Sequence, residues 1–307
     1  MRRETGEHSS AVVRVLIEFD NALGDTVTEL PILHGLRDAM SPLDVEVILK
    51  PQIAALLEDY SYISRVHRRE KTLRSRMSPI ASSWKEPFDL FLYLRRHPTI
   101  KLSKVLVRAR RKIDAKAFDA SLRDAGAIRH RYSIIRRVLL EELPELRTAV
   151  ELRPERMQET RELAGYESLA RALCVGPGAV SVKRQWPTAS FSRLIRQLEA
   201  HFEPVLLLGS GAEFALCEEV ANGTSAKNLA GKLRLTQLAA MLSQAALYIG
   251  NDSGLSHLAA AQGCKAVSIG LRSDYYYPWR GYAIRGPCSE ISSDDVLSYL
   301  REMALID

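Results

Sequence analysis

The chain has 307 residues, 46% of them hydrophobic and 26% charged, and a formal net charge of +6. That length suffices for two buried cores, and the composition is that of a globular protein rather than a disordered or fibrous one. No apolar run approaches the roughly 20 residues that cross a bilayer, and the polar segment Met1–Ser10 lacks the apolar core of a signal peptide, so it reads as a frayed tail.

In chain order, Val12 to Phe19 reads as a strand and Asp20 to Gly24 as a loop. Thr26 to Met40 carries helical spacing through Val27, Leu30, Leu33 and Leu36, with Pro31 near its start. Val45 to Leu49 is a second strand, Pro51 to Leu57 a short helix, Ile63 to Val66 a third strand and Phe88 to Leu94 a fourth. Ile100 to Val107 reads as helix, Ile113 to Ala115 as strand-like, and Tyr132 to Leu143 as an amphipathic helix. Glu151-Leu152-Arg153-Pro154 connects two halves, after which the alternation restarts. Strands are expected at Ala172 to Val175, Val205 to Leu208, Ala246 to Ile249 and Lys265 to Ile269. Helices are expected at Thr188 to Ala200, Ala212 to Ala221, Leu235 to Gln244, Leu255 to Gln262 and Val296 to Ala304, with Thr188 and Ser292-Ser293-Asp294 as caps. Strands alternating with helices imply parallel sheets covered on both faces.

Charge is uneven. Between Ser61 and Lys112 there are fifteen Lys and Arg residues against three acids, Glu70, Glu86 and Asp89. Such an excess implies an anionic partner: a phosphorylated or carboxylated glycan, an acidic membrane surface, or nucleic acid. No zinc finger or aromatic RNA-binding run accompanies it, which disfavours nucleic acid. Cys174, Cys217, Cys264 and Cys288 are scattered with no zinc spacing, which fits reduced cytosolic thiols.

The stretch richest in chemistry is Leu247 to Ala261. It reads as a strand, then a polar turn from Gly250 to Gly254, then a helix of small residues. A helix start carries unpaired amides and partial positive charge, so it is suited to a phosphate. Gly254 leaves the backbone open to a diphosphate. On residue chemistry alone, Asp252 or Ser253 could equally be a helix cap. Leu23-Gly24-Asp25 ends the first strand-to-helix turn, at the sheet edge where α/β proteins place ligands; Asp25 is a cap or a functional acid. Glu213 follows the Gly209-Ser210-Gly211 turn, and a first-turn Glu favoured by the helix dipole is its plain reading. His257 is a satisfied histidine or a phosphate contact, and Trp186 belongs to the core.

Asn228-Leu229-Ala230-Gly231-Lys232, a helix, a strand, and then Asn251-Asp252-Ser253-Gly254-Leu255-Ser256-His257 together resemble glycosyltransferase family 9, the bacterial ADP-heptose:lipopolysaccharide heptosyltransferases. Gly24-Asp25 followed by Pro31 matches the family's Gly-Asp-x-x-x-x-x-Pro. The resemblance spans most of the chain and is sharp at that turn and from about Leu173 to Ile269. It implies a GT-B fold: α/β, with two Rossmann-like doubly wound domains and a central cleft. The expected domains are 1–154 for the acceptor and 155–307 for the donor, with the last helix packing back on the first domain.

The resemblance also implies roles. Asp25 is the catalytic base, Asp252 holds sugar hydroxyls, and Ser253, Gly254 and Leu255 offer amides to the diphosphate, with His257 nearby. Ser181 adds a hydroxyl. Lys183-Arg184-Gln185-Trp186-Pro187 resembles the family's Lys-x-Trp-Pro, in which the Lys neutralises the leaving diphosphate. Here Lys183 matches by type and Arg184 by position, and Lys183 is favoured. Glu213 would hold the ribose and Leu233 the adenine. No Asp-x-Asp occurs, so no metal and no cofactor beyond the nucleotide-sugar substrate are expected. Gly209-Ser210-Gly211-Ala212-Glu213-Phe214 lacks the third Gly of a dinucleotide fingerprint, and no Gly-x-Ser-x-Gly elbow is present. Beyond Ile269 the family's Phe-Gly-x-Thr-x-Pro is replaced by Gly270 to Trp279, an aromatic loop that faces the sugar or packs as a hinge.

The expectation is therefore a cytoplasmic, inverting, metal-independent glycosyltransferase. It would move a heptose from ADP-heptose to an anionic glycan or glycolipid such as the lipopolysaccharide inner core, with peripheral contact to the inner membrane and no nucleic-acid partner. The alternatives are another nucleotide sugar, a protein or small-molecule acceptor, or an inactive glycan-binding subunit.

Overall fold

A computed structural model describes residues 12–19, 22–40, 42–57, 60–94, 101–114, 168–271, 277–278 and 281–307. The helix expected over Tyr132 to Leu143, the connection at Glu151 to Pro154 and much of the aromatic loop after Gly270 lie outside the described residues. The chain divides into two compact units. Among the described residues, the first holds 12–19 and 31–114, and the second holds 22–30 and 168–307. No helix of the described residues is long and apolar enough to cross a membrane.

The first unit is a parallel sheet in the order β3-β2-β1-β4-β5. Its strands are β1 Val13–Glu18, β2 Leu43–Leu49, β3 Ile63–Arg68, β4 Phe88–Tyr93 and β5 Ala109–Asp114. Val15 pairs with Val45 on one side and with Leu90 on the other. The chain thus winds outward from β1 in both directions, the doubly wound pattern. Leu16, Ile48, Phe88, Phe91 and Tyr93 form one core with Ile80 and Val107. The expected single helix from Thr26 to Met40 is two: α1, Leu23–Glu29, and α2, Pro31–Ala39. Pro31 has no N–H to bond the carbonyl four residues back, so the first helix stops there, and Pro31 opens the next one, where that N–H is not needed. α3, Pro51–Ala54, and α5, Lys101–Leu106, fall where expected, both shorter.

Helix α4, Leu73–Lys85, was not expected. Its sequence is assigned no element and carries a central proline, yet Thr72 caps it by accepting from the Ser75 amide at 3.2 Å. Its buried side holds Pro79, Ile80, Ser82 and Ser83 rather than a stripe of large apolar residues. Polar contacts substitute for that stripe. Glu46 on β2, 4% exposed, accepts from Ser82 Oγ at 2.7 Å and from Arg14 at 3.0 Å, and lies 2.6 Å from His67 Nε2. His67 Nδ1 is 2.8 Å from Ser78 Oγ. One carboxylate therefore ties β1, β2, β3 and α4 together.

The second unit is a parallel sheet in the order β11-β10-β9-β6-β7-β8. The strands are β6 Leu173–Gly176, β7 Val205–Leu207, β8 Lys227–Asn228, β9 Leu247–Asn251, β10 Lys265–Leu271 and β11 Tyr282–Arg285. The edge strands β8 and β11 are additions to the expected set; at two and four residues they carry too little alternation to read in advance. The sheet has two unlike faces. Leu173, Val175, Leu247, Ile249, Val267 and Ile269 point into an apolar core with Phe191, Leu194, Leu198, Val220, Val296 and Leu300. Those partners lie on helices α6 Thr188–Leu198, α7 Phe214–Ala221 and α10 Ser293–Glu302. The last helix, α10, thus packs within the second unit. Register places Cys174, Gly176, Tyr248, Gly250, Ala266 and Ser268 on the opposite face. There α9, Gly254–Ala261, packs on β9 and β10, and α8, Leu235–Leu242, packs on α9. One expected cap shifts: α6 is preceded by Pro187, and the Thr188 hydroxyl bonds Glu219 at 2.6 Å instead of closing its own helix, while Ser292 caps α10 as expected. All four cysteines are buried and unpaired, and burial raises the Cys217 and Cys264 thiols to about 12.

Burial alone would raise the Glu46 carboxyl, but the hydrogen bonds from His67 and Ser82 and the charges of His67 and Arg65 outweigh it, and its pKa lies below 4.5. A carboxyl lowered in the folded state stabilises the fold fully above its unfolded pKa, and that contribution fades as pH falls through the folded value. Glu46→Ala is therefore expected to cost about 3 kcal/mol at neutral pH, because it removes the one buried carboxylate that Arg14, His67 and Ser82 share. The difference from wild type should shrink in denaturant melts carried below pH 4. A deficit that stays constant down to pH 2 would contradict this ionic account.

Candidate functional site

In the second unit the chain runs from β6 outward to β8, then returns to the other side of β6 as β9. Strand order reverses between β6 and β9, and α/β sheets bind ligands outside the carboxyl ends of strands at such a reversal. Gly176 and Gly250 are paired at those ends. β9 extends through Gly250 and Asn251, two residues beyond the expected strand. The polar turn shrinks to Asp252 and Ser253, and α9 begins at Gly254.

Asn251 was quoted only as part of the motif, yet it organises this edge. It is fully buried. Its Oδ1 accepts from the Trp186 amide at 2.9 Å, and its Nδ2 donates to the Pro177 carbonyl at 2.6 Å. A single side chain thus fixes both ends of the loop that leaves β6. That loop contains a short 3-10 turn, Val182–Arg184. Trp186 itself is core: its ring meets Phe191 edge-on at 4.8 Å, and its Nε1 donates to the Ile291 carbonyl at 2.7 Å.

The loop brings Arg184 to Asp252, with 3.8 Å between guanidinium and carboxylate. The Arg184 side chain is 47% exposed and that of Asp252 only 10%. Ser181 and Lys183 are exposed on the same turn. Leu233, half-buried, sits just before α8. Ser253 stands at the N-cap of α9, and Ser256 Oγ bonds back to the Ser253 carbonyl at 2.7 Å. Leu255 is half-buried in the first turn.

Glu213 acts in a capping box: its carboxylate accepts from the Ser210 amide at 2.7 Å and from Ser210 Oγ at 2.8 Å. The same carboxylate lies directly over Gly178, where any β-carbon would overlap Glu213 Oε1. Gly178 and Glu213 are therefore neighbours at the sheet edge although 35 residues apart in sequence.

The second unit also includes α1, which packs along α9. Two glycines allow the approach. A β-carbon on Gly254 would come within 2.9 Å of Leu23 Cβ, and one on Gly24 within 2.8 Å of the His257 ring. Gly254 is thus required by the neighbouring helix, a constraint that its place in the motif did not reveal. His257 Nδ1 lies 3.5 Å from Thr28 Oγ1, and Thr28 donates to the Gly24 carbonyl at 2.8 Å. Asp25, half-buried, follows Gly24 in the first turn of α1. It is not the N-cap of that helix: the N-cap is Ala22. The cap reading of Asp25 is corrected by this earlier helix start.

The structure therefore brings Asp25, Arg184, Asp252, Ser253, Gly254, Leu255 and His257 to one end of α9, with Glu213 and Gly178 on the adjoining strand edge. Chemically this is a carboxylate on α1 near the start of α9, with the Arg184 guanidinium beside Asp252. Among the described residues, no group of three or more His, Cys, Asp or Glu is placed to hold a metal ion.

Residues 107–274 match the family described as "Glycosyltransferase family 9 (heptosyltransferase)". Lipopolysaccharide heptosyltransferase 3 of Escherichia coli strain K12 is 32% identical over 126 residues, which are 39% of this chain and 37% of that protein. The glycosyl transferase family 9 structure from Veillonella parvula superposes with a TM-score of 0.77 at 18% identity, covering 95% of this chain and 97% of the other. Escherichia coli heptosyltransferase WaaC with ADP gives a TM-score of 0.72 at 18% identity, over 95% of this chain and 98% of the other. These structural likenesses show the fold, GT-B.

Asn251→Ala is expected to lower the unfolding free energy by about 2–4 kcal/mol, because the Trp186 amide and the Pro177 carbonyl stay buried without partners. Urea melts measure this, and a loss under 1 kcal/mol would remove Asn251 from the organising role.

Proposed function

Since this chain belongs to glycosyltransferase family 9, we propose that it transfers a heptose from ADP-heptose to a hydroxyl of an anionic glycan such as the lipopolysaccharide inner core, with inversion and without a metal. The observation that carries this reading is the packing of α1 on α9, which puts the Asp25 carboxylate on the helix beside the Asp252–Leu255 turn.

In this mechanism the amides of Ser253, Gly254 and Leu255 bind the diphosphate of ADP at the positive end of α9. Asp252 holds hydroxyls of the sugar, Glu213 the ribose, and the backbone near Leu233 the adenine, while Ser181 and His257 border the phosphates. Asp25 takes the proton of the acceptor hydroxyl. The acceptor oxygen attacks the anomeric carbon from the opposite side, the bond from that carbon to the diphosphate oxygen breaks, and ADP leaves with the electron pair. Negative charge grows on the diphosphate in this step, so a fixed cation stabilises the transition state more than the ground state. The ion pair with Asp252 favours Arg184 for that task over Lys183, the residue preferred on sequence grounds. The planar guanidinium also suits a phosphate.

The second half of the chain is the donor domain in this reading and the first half the acceptor domain. α4 exposes Leu73, Met77 and Trp84, and Arg74 and Lys85 are exposed on the same helix, which suits a glycolipid acceptor in an acidic inner-membrane surface.

Purified protein offered a panel of nucleotide sugars should release ADP from ADP-heptose in the presence of an inner-core acceptor, with EDTA causing no loss. Asp25→Asn should remove most turnover while ADP binding and melting temperature hold. Arg184→Ala should lower turnover about 100-fold, equivalent to roughly 2.7 kcal/mol of barrier, and Lys183→Ala should do much less. Release of a different nucleotide, or near-normal turnover in Asp25→Asn, would overturn the reading.

A further inference from the structure

Helix α4 is amphipathic with its faces inverted. A surface helix ordinarily turns its apolar stripe to the core. Of Leu73, Met77, Ile80 and Trp84, only Ile80 is buried. Leu73 is 76% exposed, Met77 40% and Trp84 60%. With the exposed Ala81 between them, these residues are spaced by four, four and three positions, so they line one outer stripe roughly 16 Å long. Serines hold the inner side instead: Ser82 through Glu46, Ser78 through His67, and Ser83 Oγ by accepting from the Arg108 amide at 3.0 Å. The fold therefore makes no use of the outer stripe.

The indole of Trp84 is set for an apolar medium. Its Nε1 donates to the Leu106 carbonyl of α5 at 3.0 Å, so the ring leaves water without stranding a donor. Val105, beside that carbonyl in sequence, is 73% exposed. The exposed Arg108 guanidinium stands 5.5 Å from the indole centroid. α4 itself carries Arg74, Arg76 and Lys85, all exposed, and no acid. The acids beyond its ends are Glu70 and Glu86, and Glu86 pairs with Arg14 at 3.5 Å. Large apolar side chains flanked by cations suit an interface that is apolar beneath and anionic above, which is what an acidic bilayer offers. A second copy of this chain would instead set cations against cations.

We propose that the outer face of α4 docks on an acidic lipid surface: Leu73, Met77 and Trp84 enter the acyl boundary, and Arg74, Arg76 and Lys85 meet the headgroup phosphates. The helix lies flat, since the stripe runs nearly its full length, and the long cationic side chains reach up to the headgroups. This inference extends the acceptor side of the proposed function, by naming the surface that holds the first unit where a glycolipid is found, and it does not depend on the donor site. Because the stripe packs on nothing, polar replacements in it cost the fold nothing and remove only the docking contact.

The test is co-sedimentation of the intact protein, without nucleotide sugar, with phosphatidylglycerol-containing vesicles and with phosphatidylcholine vesicles, joined to tryptophan fluorescence and melts of each free protein. Wild type should sediment with the anionic vesicles only. Binding should fall about 10-fold or more between about 0.1 M and about 1 M salt, where the screening length drops from about 10 to about 3 Å. Tryptophan emission should shift to the blue on binding, and Trp84→Phe should abolish the shift. The triple variant Arg74→Gln, Arg76→Gln, Lys85→Gln should bind about 10-fold more weakly or worse. Leu73→Gln with Met77→Gln should weaken binding about 10-fold, while its melting temperature stays that of wild type. A lower melting temperature in that variant would mean that the chain itself covers the stripe, and would overturn the proposal. Equal binding to both kinds of vesicle, binding that ignores salt, or a dimer that the apolar variant abolishes while wild type ignores vesicles would overturn it as well. Protein that releases ADP from ADP-heptose yet ignores anionic vesicles would sink this inference and leave the proposed function standing. Vesicle binding without transfer would support the inference and sink the function.

Discussion

The site depends on the close approach of two helices. α1 and α9 meet where Gly24 faces the His257 ring and Gly254 faces Leu23. A methyl group on either glycine would force the helices apart by a distance that packed interiors do not absorb without strain. That contact sets the position of Asp25 relative to Asp252, and the whole chemical reading depends on it. A carboxylate can serve as a base only where the acceptor and the donor are held together, and a shift of even one ångström is costly in such a step. The contact also explains why the segment 22–30 groups with the second unit although it follows the first strand of the other sheet.

The sheet edge of the second unit supplies the other half of the arrangement. On its inner face the strands are aliphatic until β9 ends in Asn251, and this core holds the sheet together. On the face beneath α9 the side chains become small or polar as the strands approach their carboxyl ends. Asn251 uses both ends of its amide to hold the loop from Pro177 to Trp186, which carries Arg184 to Asp252. Tyr248 fills the space above the two terminal glycines. The edge is therefore rigid where it must position charge, and its specificity comes from hydrogen bonds more than from apolar packing.

Much of this was readable in the residues. The alternation of strands and helices implied parallel sheets, and the family resemblance implied two doubly wound domains; the strands β1, β2, β4, β9 and β10 stand within a few residues of their expected limits because each has an apolar run bounded by turn residues. Helix α4 was not readable, because its buried side rests on serines and a proline held by Glu46 and His67 from other strands. Long-range polar partners leave no periodic signal. In the same way, the motif around Asp252 was visible as a string, but the reasons for its glycines were not. Gly254 answers to Leu23, and Gly250 answers to Tyr248, and both partners are named only by the fold. The helix start at Leu23, rather than at Thr26, places Asp25 in the first turn of α1 instead of at its cap.

The central claim is that the amino-terminus of α9, set against α1, receives the diphosphate of the donor. Amide hydrogen exchange of the intact protein with and without ADP tests it most directly, since it reads each segment separately. The account predicts that ADP slows exchange in the segment 252–257, in the 3-10 turn at 182–184 and in 22–30, with little change in the first unit's strands. Protection confined to other segments, with 252–257 unaffected at saturating ADP, would contradict it.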